Sequence, residues 1–267
     1  MSQFFPAPCR LRLAVLALVV FLAACAGAVR ESRDALAGEV VLVAGGSGRA
    51  GVYVLRQLKA QQIAFRATTR SIAEARQRLG ADAAGVEWIE ADLRDADAAR
   101  RSLAGVDRVI CVIGSRELAG DNSAEFVDYG AVRNLVDAAR AERVKQVVLL
   151  SAIGTTDKDS IANKLFKGAL EWRYKGEQYL RASGVPYTVV RPAGLVNEPA
   201  GAKGVKLWQG DDWKSHVRKT ISRDDLALVL IESLREPGAR NTSFEITNEV
   251  AESPGSWRGQ LARLVRD

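Results

Sequence analysis

Four glycines and two arginines hold the clearest chemistry in this chain. The loop Gly45-Gly46-Ser47-Gly48-Arg49-Ala50-Gly51 reads in two registers, Gly45-x-x-Gly48-x-x-Gly51 and Gly46-x-Gly48-x-x-Gly51. In either register the glycines let the backbone turn sharply and approach a pyrophosphate with no Cβ between, and they let the next helix pack close to the preceding strand. The free N–H groups and positive dipole end of that helix attract the phosphates. A loop built for NAD is followed about 20 residues on by an Asp or Glu that accepts from the ribose 2′-hydroxyl. Here that place holds Arg70, and Arg49 lies inside the loop itself. A guanidinium fork suits a 2′-phosphate and offers a hydroxyl no acceptor, so these residues predict NADP in preference to NAD.

Such a loop works only where a strand hands over to a helix. The β-branched run VVLVA before it and the helical period of VYVLRQLKAQ after it supply that context. IAFRATTR predicts a second strand ending at Arg70, SIAEARQRL a helix opened by Ser71, and GVEWIEADL a third strand ending at Asp92-Leu93. An Asp at such a strand end can accept from an adenine amine while the next backbone N–H meets the ring. Its competing role is to cap the helix that begins near Asp95. Strand RVICVIG ends at Gly114-Ser115, beside the expected cofactor ribose, and AEFVDYGAVRNLVDAARAERV reads as one long amphipathic helix with Phe126, Val132, Leu135, Val136 and Ala139 on one face. Strand KQVVLLSAIG ends at Ser151, and LFKGALEWRYKGEQYLRASGV is a helix closed by Gly184. Strand PYTVVRPAGL carries Pro192-Ala193-Gly194, whose backbone can bond a nicotinamide amide. Residues 195–220 are irregular, with Trp208, Trp213 and a hairpin expected at Gly210-Asp211, and are placed to cover the substrate side. Ser222 caps RDDLALVLIESLRE, NTSFEITN is a last strand, and SWRGQLARLVRD a short helix. The alternation predicts an α/β fold with a doubly wound, mostly parallel sheet, a Rossmann fold in a single domain over 39–267.

The composition, 48 % apolar and 26 % charged in 267 residues, is that of an ordinary globular protein. The formal charge of +6 is spread along the chain, so no nucleic-acid partner is expected. Cys9, Cys25 and Cys111 are too far apart for a ligand cluster, and the single histidine, His216, reads as a surface or loop residue, so no metal site is expected. Residues 1–38 form a separate segment. Arg10 and Arg12 precede the apolar run Leu13 to Val29, which predicts a signal peptide or a membrane anchor. Within it LAAC, Leu22 to Cys25, resembles the lipobox of bacterial lipoproteins, and Ala26-Gly27-Ala28 offers a competing cleavage site. This segment predicts membrane association through the N-terminus. Arginines flank the run on both sides, so the side of the membrane is not specified.

With these motifs in order, the chain resembles the atypical short-chain dehydrogenase/reductase group, the NAD(P)H-binding and NmrA-like proteins. The resemblance rests on VLVAGGSGRAG, ATTRS, EADLRDAD, VDYGAVRNLVDAA, VKQVVLLSAIG, YKGEQYLRASGVPYTVVRPAGL and ISRDDLA, and it covers residues 39 to about 250. It implies that the glycine loop holds the pyrophosphate, Arg70 the 2′-phosphate, and Asp92 with Leu93 the adenine. It also implies that Ser151, Lys175 and the Pro192–Leu195 turn line the nicotinamide end. One departure stands out. Active reductases of the wider superfamily carry a tyrosine four residues before the lysine, a phenol that protonates the carbonyl oxygen as hydride arrives. Here that residue is Glu171, which can pair with Lys175 across a helical turn, while Tyr174 lies about 100° around the helix from Lys175. Three functions remain open. One is an NADP-dependent oxidoreductase acting on a small carbonyl or quinone-like substrate, with Lys175, Ser151 and Tyr129 or water in the catalytic roles. Another is a non-enzymatic NADPH-binding sensor or assembly factor acting through a protein partner. The last is a scaffold that binds no nucleotide.

Overall fold

Valine, leucine and isoleucine fill the central strands on both faces, as a parallel sheet covered by helices on each side requires. The computed structural model describes residues 35–115, 117–216 and 218–267. In chain order the elements are β1 (Val41–Ala44), α1 (Gly51–Ala60), β2 (Phe65–Thr69), α2 (Ile72–Leu79), β3 (Glu87–Glu90), α3 (Ala96–Ser102) and β4 (Arg108–Cys111). They continue with α4 (Val132–Ala141), β5 (Gln146–Leu150), α5 (Ile161–Leu165), α6 (Ala169–Ala182), β6 (Tyr187–Pro192), β7 (Gly194–Val196), β8 (Gly204–Trp208), β9 (Thr220–Ser222), α7 (Arg223–Arg235), β10 (Thr242–Glu249) and α8 (Trp257–Leu261). The main sheet runs β3-β2-β1-β4-β5-β6-β10-β8. Its pairings are parallel as far as β10, and β8 closes the edge antiparallel. The strand order reverses between β1 and β4, and this opens a crevice at the carboxyl ends of the strands. Residues 38–267 form one compact unit.

Three local expectations are corrected. The long helix after β4 is not uniform: Glu125–Ala131 winds as a π-helix before α4 begins. Its wider turn shifts the phase of the stripe. Val132, Leu135, Val136 and Ala139 are buried as expected, whereas Phe126 is 45 % exposed. The helix predicted from Leu165 is broken at Gly168, where φ is +79°, into α5 and α6. Asn163 of α5 then accepts from the N–H groups of Leu170 (3.1 Å) and Glu171 (3.2 Å), and so caps α6 from outside. Finally, no hairpin forms at Gly210-Asp211; both residues have positive φ, but β8 pairs with β10.

Cys111 lies in the core beneath the crevice, and burial pushes its thiol up to about 12, so it is a small hydrophobe there. At the opposite edge of the strands, Glu39 takes the Arg108 guanidinium and the Lys145 ammonium (2.9 Å). Arg108 also donates to the carbonyl of Leu234 (2.7 Å) and to the Gln146 side chain (3.0 Å), which ties β4 to α7 and β5. Burial alone would raise the Glu39 carboxyl, but Arg108 and Lys145 outweigh it and hold it below its ordinary 4.5. A depressed carboxyl stabilises the fold above its unfolded pKa, and that stability is lost as pH falls through the folded value. Glu39→Gln is therefore expected to cost about 1–3 kcal/mol near neutral pH. Denaturant unfolding of the two proteins across pH should show this gap close below about pH 4.5.

Candidate functional site

The glycine loop leaves the end of β1 and starts α1, and almost every glycine in it is required sterically. Gly45 has φ +86°, where a side chain would be strained. A Cβ on Gly46 would lie 2.7 Å from that of Ala67 in β2, and one on Gly51 would lie 2.4 Å from the Gly45 carbonyl and 2.5 Å from that of Gly46. The two registers seen in the sequence thus coexist: Gly45 turns the chain, Gly46 passes close over β2, and Gly51 starts the helix. The loop is pinned by bonds from Gly45 N–H to Thr68 Oγ1 (3.0 Å) and from Gly46 N–H to the Thr68 carbonyl (3.1 Å). α1 has Ala50 at its N-cap, no side-chain cap and no acidic residue in its first turn, so its positive end is open to an anion. This cradle fits the pyrophosphate of a dinucleotide.

A cleft of about 600 Å³ runs over the loop and along the ends of β1, β2 and β4. Among its lining residues are Gly45, Ser47, Gly48, Arg49, Ala50, Arg70, Asp92, Leu93 and Gly114, all singled out from sequence; Gly46 and Gly51 shape the loop from behind. At one end Arg49 and Arg70 are joined by Arg78 of α2, whose guanidinium reaches the Ser47 carbonyl. The hydroxyls of Ser47 and Thr69 meet there at 2.9 Å. Arg70 Nη1 donates to the Asn122 side chain (2.7 Å). Asp92 does not cap a helix, since Asp95 caps α3. Its carboxylate takes the Arg94 guanidinium, which holds it below the usual carboxylate range. Arg94 also reaches the Asp121 carbonyl (2.7 Å) across the same end of the cleft.

The other end is built differently from the sequence expectation. Ser151 is buried and its hydroxyl donates to Glu177. Lys175 pairs with Glu171 at 3.1 Å and sits over the Trp172 ring at 3.8 Å, on an exposed face of α6. Tyr129 packs against the rings of Trp172 (5.8 Å) and Tyr179 (6.4 Å). Pro192 is paired within the sheet, and Gly194 lies against the Lys219 carbonyl. None of these five is among the residues lining the cleft; Leu195, Leu150 and Ile113 are, with Arg173 and Arg223. Arg173 donates to Asp128 Oδ1 (2.5 Å) and to the Ser151 carbonyl (3.2 Å). Asp128 Oδ2 in turn accepts from the Ser115 N–H at 2.9 Å. Gly114 makes room for this arrangement, because a Cβ there would stand 2.9 Å from Arg173 Nη2.

Arg78, Arg94, Arg173 and Arg223 were not singled out from sequence. Arg78 had a legible signal, since it follows the buried Ala75 by three residues and so lies about 60° from it around α2. Arg173 stands four residues before the fully buried Glu177 on the same helical face. The apolar and ionic burial of Glu177 itself could not be read from a single charged residue.

Residues 45–237 match the model of the NAD(P)H-binding family. Protein TIC 62 of Pisum sativum, a chloroplastic protein, is 34 % identical over 186 residues, which cover 62 % of this chain and 35 % of that protein. Sanguinarine reductase of Eschscholzia californica is 27 % identical over 265 residues, covering 84 % of this chain and 96 % of that one. Among solved structures, a putative NAD-dependent epimerase/dehydratase from Bacillus halodurans superposes with a TM-score of 0.71 at 23 % identity, over 84 % of this chain and 99 % of its own. The membrane association expected through the N-terminus is corrected: no helix among the described residues is long and apolar enough to cross a membrane, and the relatives include chloroplastic proteins. The run Leu13 to Val29 and Cys25 lie outside the described residues. The match over residues 45–237, the strand order and the glycine loop place the chain in the NAD(P)H-binding family, among the atypical short-chain dehydrogenases/reductases.

Proposed function

We propose that the protein is an NADPH-dependent reductase of a quinone-like or carbonyl acceptor. The observation that carries the cofactor preference is the set of three arginines, Arg49, Arg70 and Arg78, gathered with the Ser47 and Thr69 hydroxyls at the end of β2. There a 2′-phosphate finds charge-assisted donors on several sides, and the Asp92 carboxylate at this end is taken by the Arg94 guanidinium. Bound, the cofactor supplies hydride. The chain holds it at the glycine loop and at α1, and Ile113, Leu150 and Leu195 give the acceptor end an apolar wall that excludes water. Tyrosine, lysine and histidine are absent from the described lining, which suits an acceptor that needs no strong acid from the protein.

One further observation favours a second reading, in which cofactor binding governs docking of a protein partner. Ile161 and Leu165 of α5 are 75 % and 71 % exposed, with Phe166 beside them. Turnover separates the two. Oxidation of NADPH by a panel of quinones and carbonyls well above the uncatalysed rate is the outcome expected for a reductase. Saturable NADPH binding with no turnover across the panel would transfer the assignment to the docking reading. For the cofactor, Arg70→Ala and Arg78→Ala are each expected to weaken NADPH binding by about 10- to 100-fold. Calorimetric titration with NADH should show no more than about a twofold change in the same variants. Equal losses for both cofactors would refute the 2′-phosphate assignment.

A further inference from the structure

We propose that Arg173 is the electrostatic catalyst at the hydride-accepting end of the cleft. Its guanidinium donates hydrogen bonds to the acceptor atom on which negative charge builds. The inference rests on the reductase reading and concerns how such a site works without the phenol that active members of the superfamily carry.

The first argument is direction. Glu177 of α6 is fully buried, where it accepts from Ser151, Thr155 (3.1 Å), Arg181 (3.0 Å) and Arg191 (2.6 Å). A residue four positions earlier on a helix shares that inward face, and a residue two positions earlier lies about 200° away. Arg173 therefore points to the carboxyl ends of β4 and β5, and Lys175 points outward, as their contacts show. The helix that would present a lysine and a tyrosine to the acceptor presents an arginine instead.

The second argument is preorganisation. Arg173 is gripped on both sides, by Asp128 at 2.5 Å and by the Ser151 carbonyl at 3.2 Å, and Asp128 is itself fixed by the Ser115 N–H. The Asp128 side chain is almost fully buried, while that of Arg173 keeps about a quarter of its surface open, on the cleft side. A guanidinium has five N–H donors, of which these contacts use two. The carboxylate offsets most of the charge, so Arg173 serves as a set of aimed donors that cost little to hold in place. Donors fixed before the reaction stabilise a developing anion far better than mobile water does. At this end Ser115 has its hydroxyl committed to the carbonyls of Glu117 and Asn122, and Arg223 donates to the Asn197 side chain at 2.6 Å.

The chemistry balances without an acid from the protein. A bound dihydronicotinamide would supply the hydride and be oxidised by two electrons, and the acceptor would be reduced by two electrons, its π bond opening so that the electron pair settles on its oxygen. Arg173 hydrogen-bonds the oxyanion and stays protonated, and the neutralising proton comes from water.

The test uses two acceptors of opposite charge behaviour. A neutral benzoquinone becomes an anion on accepting hydride, whereas N-methylquinolinium becomes neutral. Arg173→Leu is expected to lower kcat with the quinone by about 10²- to 10³-fold, with Arg173→Lys recovering part of it. The quinolinium rate and the NADP⁺ Kd by calorimetry should each change by less than about threefold. A readout free of turnover is the ionisation of 4-nitrophenol bound to the NADP⁺ complex, followed by its absorbance. The native protein should favour the bound phenolate, and Arg173→Leu should abolish that bias. Because Arg173→Leu orphans Asp128, Asp128→Asn/Arg173→Leu provides a folded comparison and should behave as the single variant does. Equal falls with both acceptors, or a weakened NADP⁺ Kd with unchanged kcat, would overturn the role. If the native protein oxidises NADPH with neither acceptor, the reductase reading fails, and an unbiased 4-nitrophenol would remove the anion site with it.

Discussion

The candidate site depends on the burial of one carboxylate. Glu177 sits at the crossing of α6 with the sheet and gathers hydroxyls from the β5 end and guanidiniums from β6 and from its own helix. Arg191 then bridges Glu177 to Glu245 of β10, at 3.0 Å from the latter. An ionised group taken this far from water is tolerated only with such a set of partners. Once Glu177 is fixed, the rotation of α6 about its own axis is fixed too. That rotation decides which cations face the crevice and which face solvent.

The cleft above this cluster has two ends with different electrostatic character. At the β2 and β3 end, guanidiniums outnumber carboxylates and stand among hydroxyls and backbone carbonyls. At the β5 end, Arg173 is paired with Asp128, and apart from Arg223 the walls are largely aliphatic. A ligand with phosphates at one end and a planar, weakly polar ring at the other matches this division without any rearrangement of the sheet. The glycines between the two ends bring backbone within reach of the ligand's middle, and the helix dipole adds to the field there.

Much of this was legible in the residues. The β–α alternation, the glycine loop and the arginine that ends β2 follow from local period and turn chemistry, which one sequence carries in full. Helix caps at Ser71 and Ser222 are local in the same sense, whereas α3 is capped by Asp95 and not by Asp92. What escaped depends on contacts between distant segments. The phase slip that exposes Phe126 comes from a π-turn packed against α6, where a Cβ on Gly176 would stand 2.6 Å from the Asp128 carbonyl. Motif matching pointed to Lys175 because it keeps the family's position in sequence, but orientation is set by the buried residue two places later. A run of four polar or charged residues, Trp172 apart, gives no hint of which one is turned inward.

The segment between β6 and α7 serves two parts of the molecule. Through Leu195 it forms part of the wall facing the acceptor, and through β8 it seals the last edge of the sheet against β10. Asp211, held at positive φ, anchors it by accepting from the N–H groups of Gly154 (2.7 Å) and Thr156 (3.0 Å) just beyond β5. Such an arrangement separates inheritance of the nucleotide half from inheritance of the acceptor half. Substitutions between Leu195 and Gly204 can recast the shape and polarity of the acceptor wall while the edge pairing and the Asp211 anchor persist, so new specificities can arise in this scaffold without a loss of foldability.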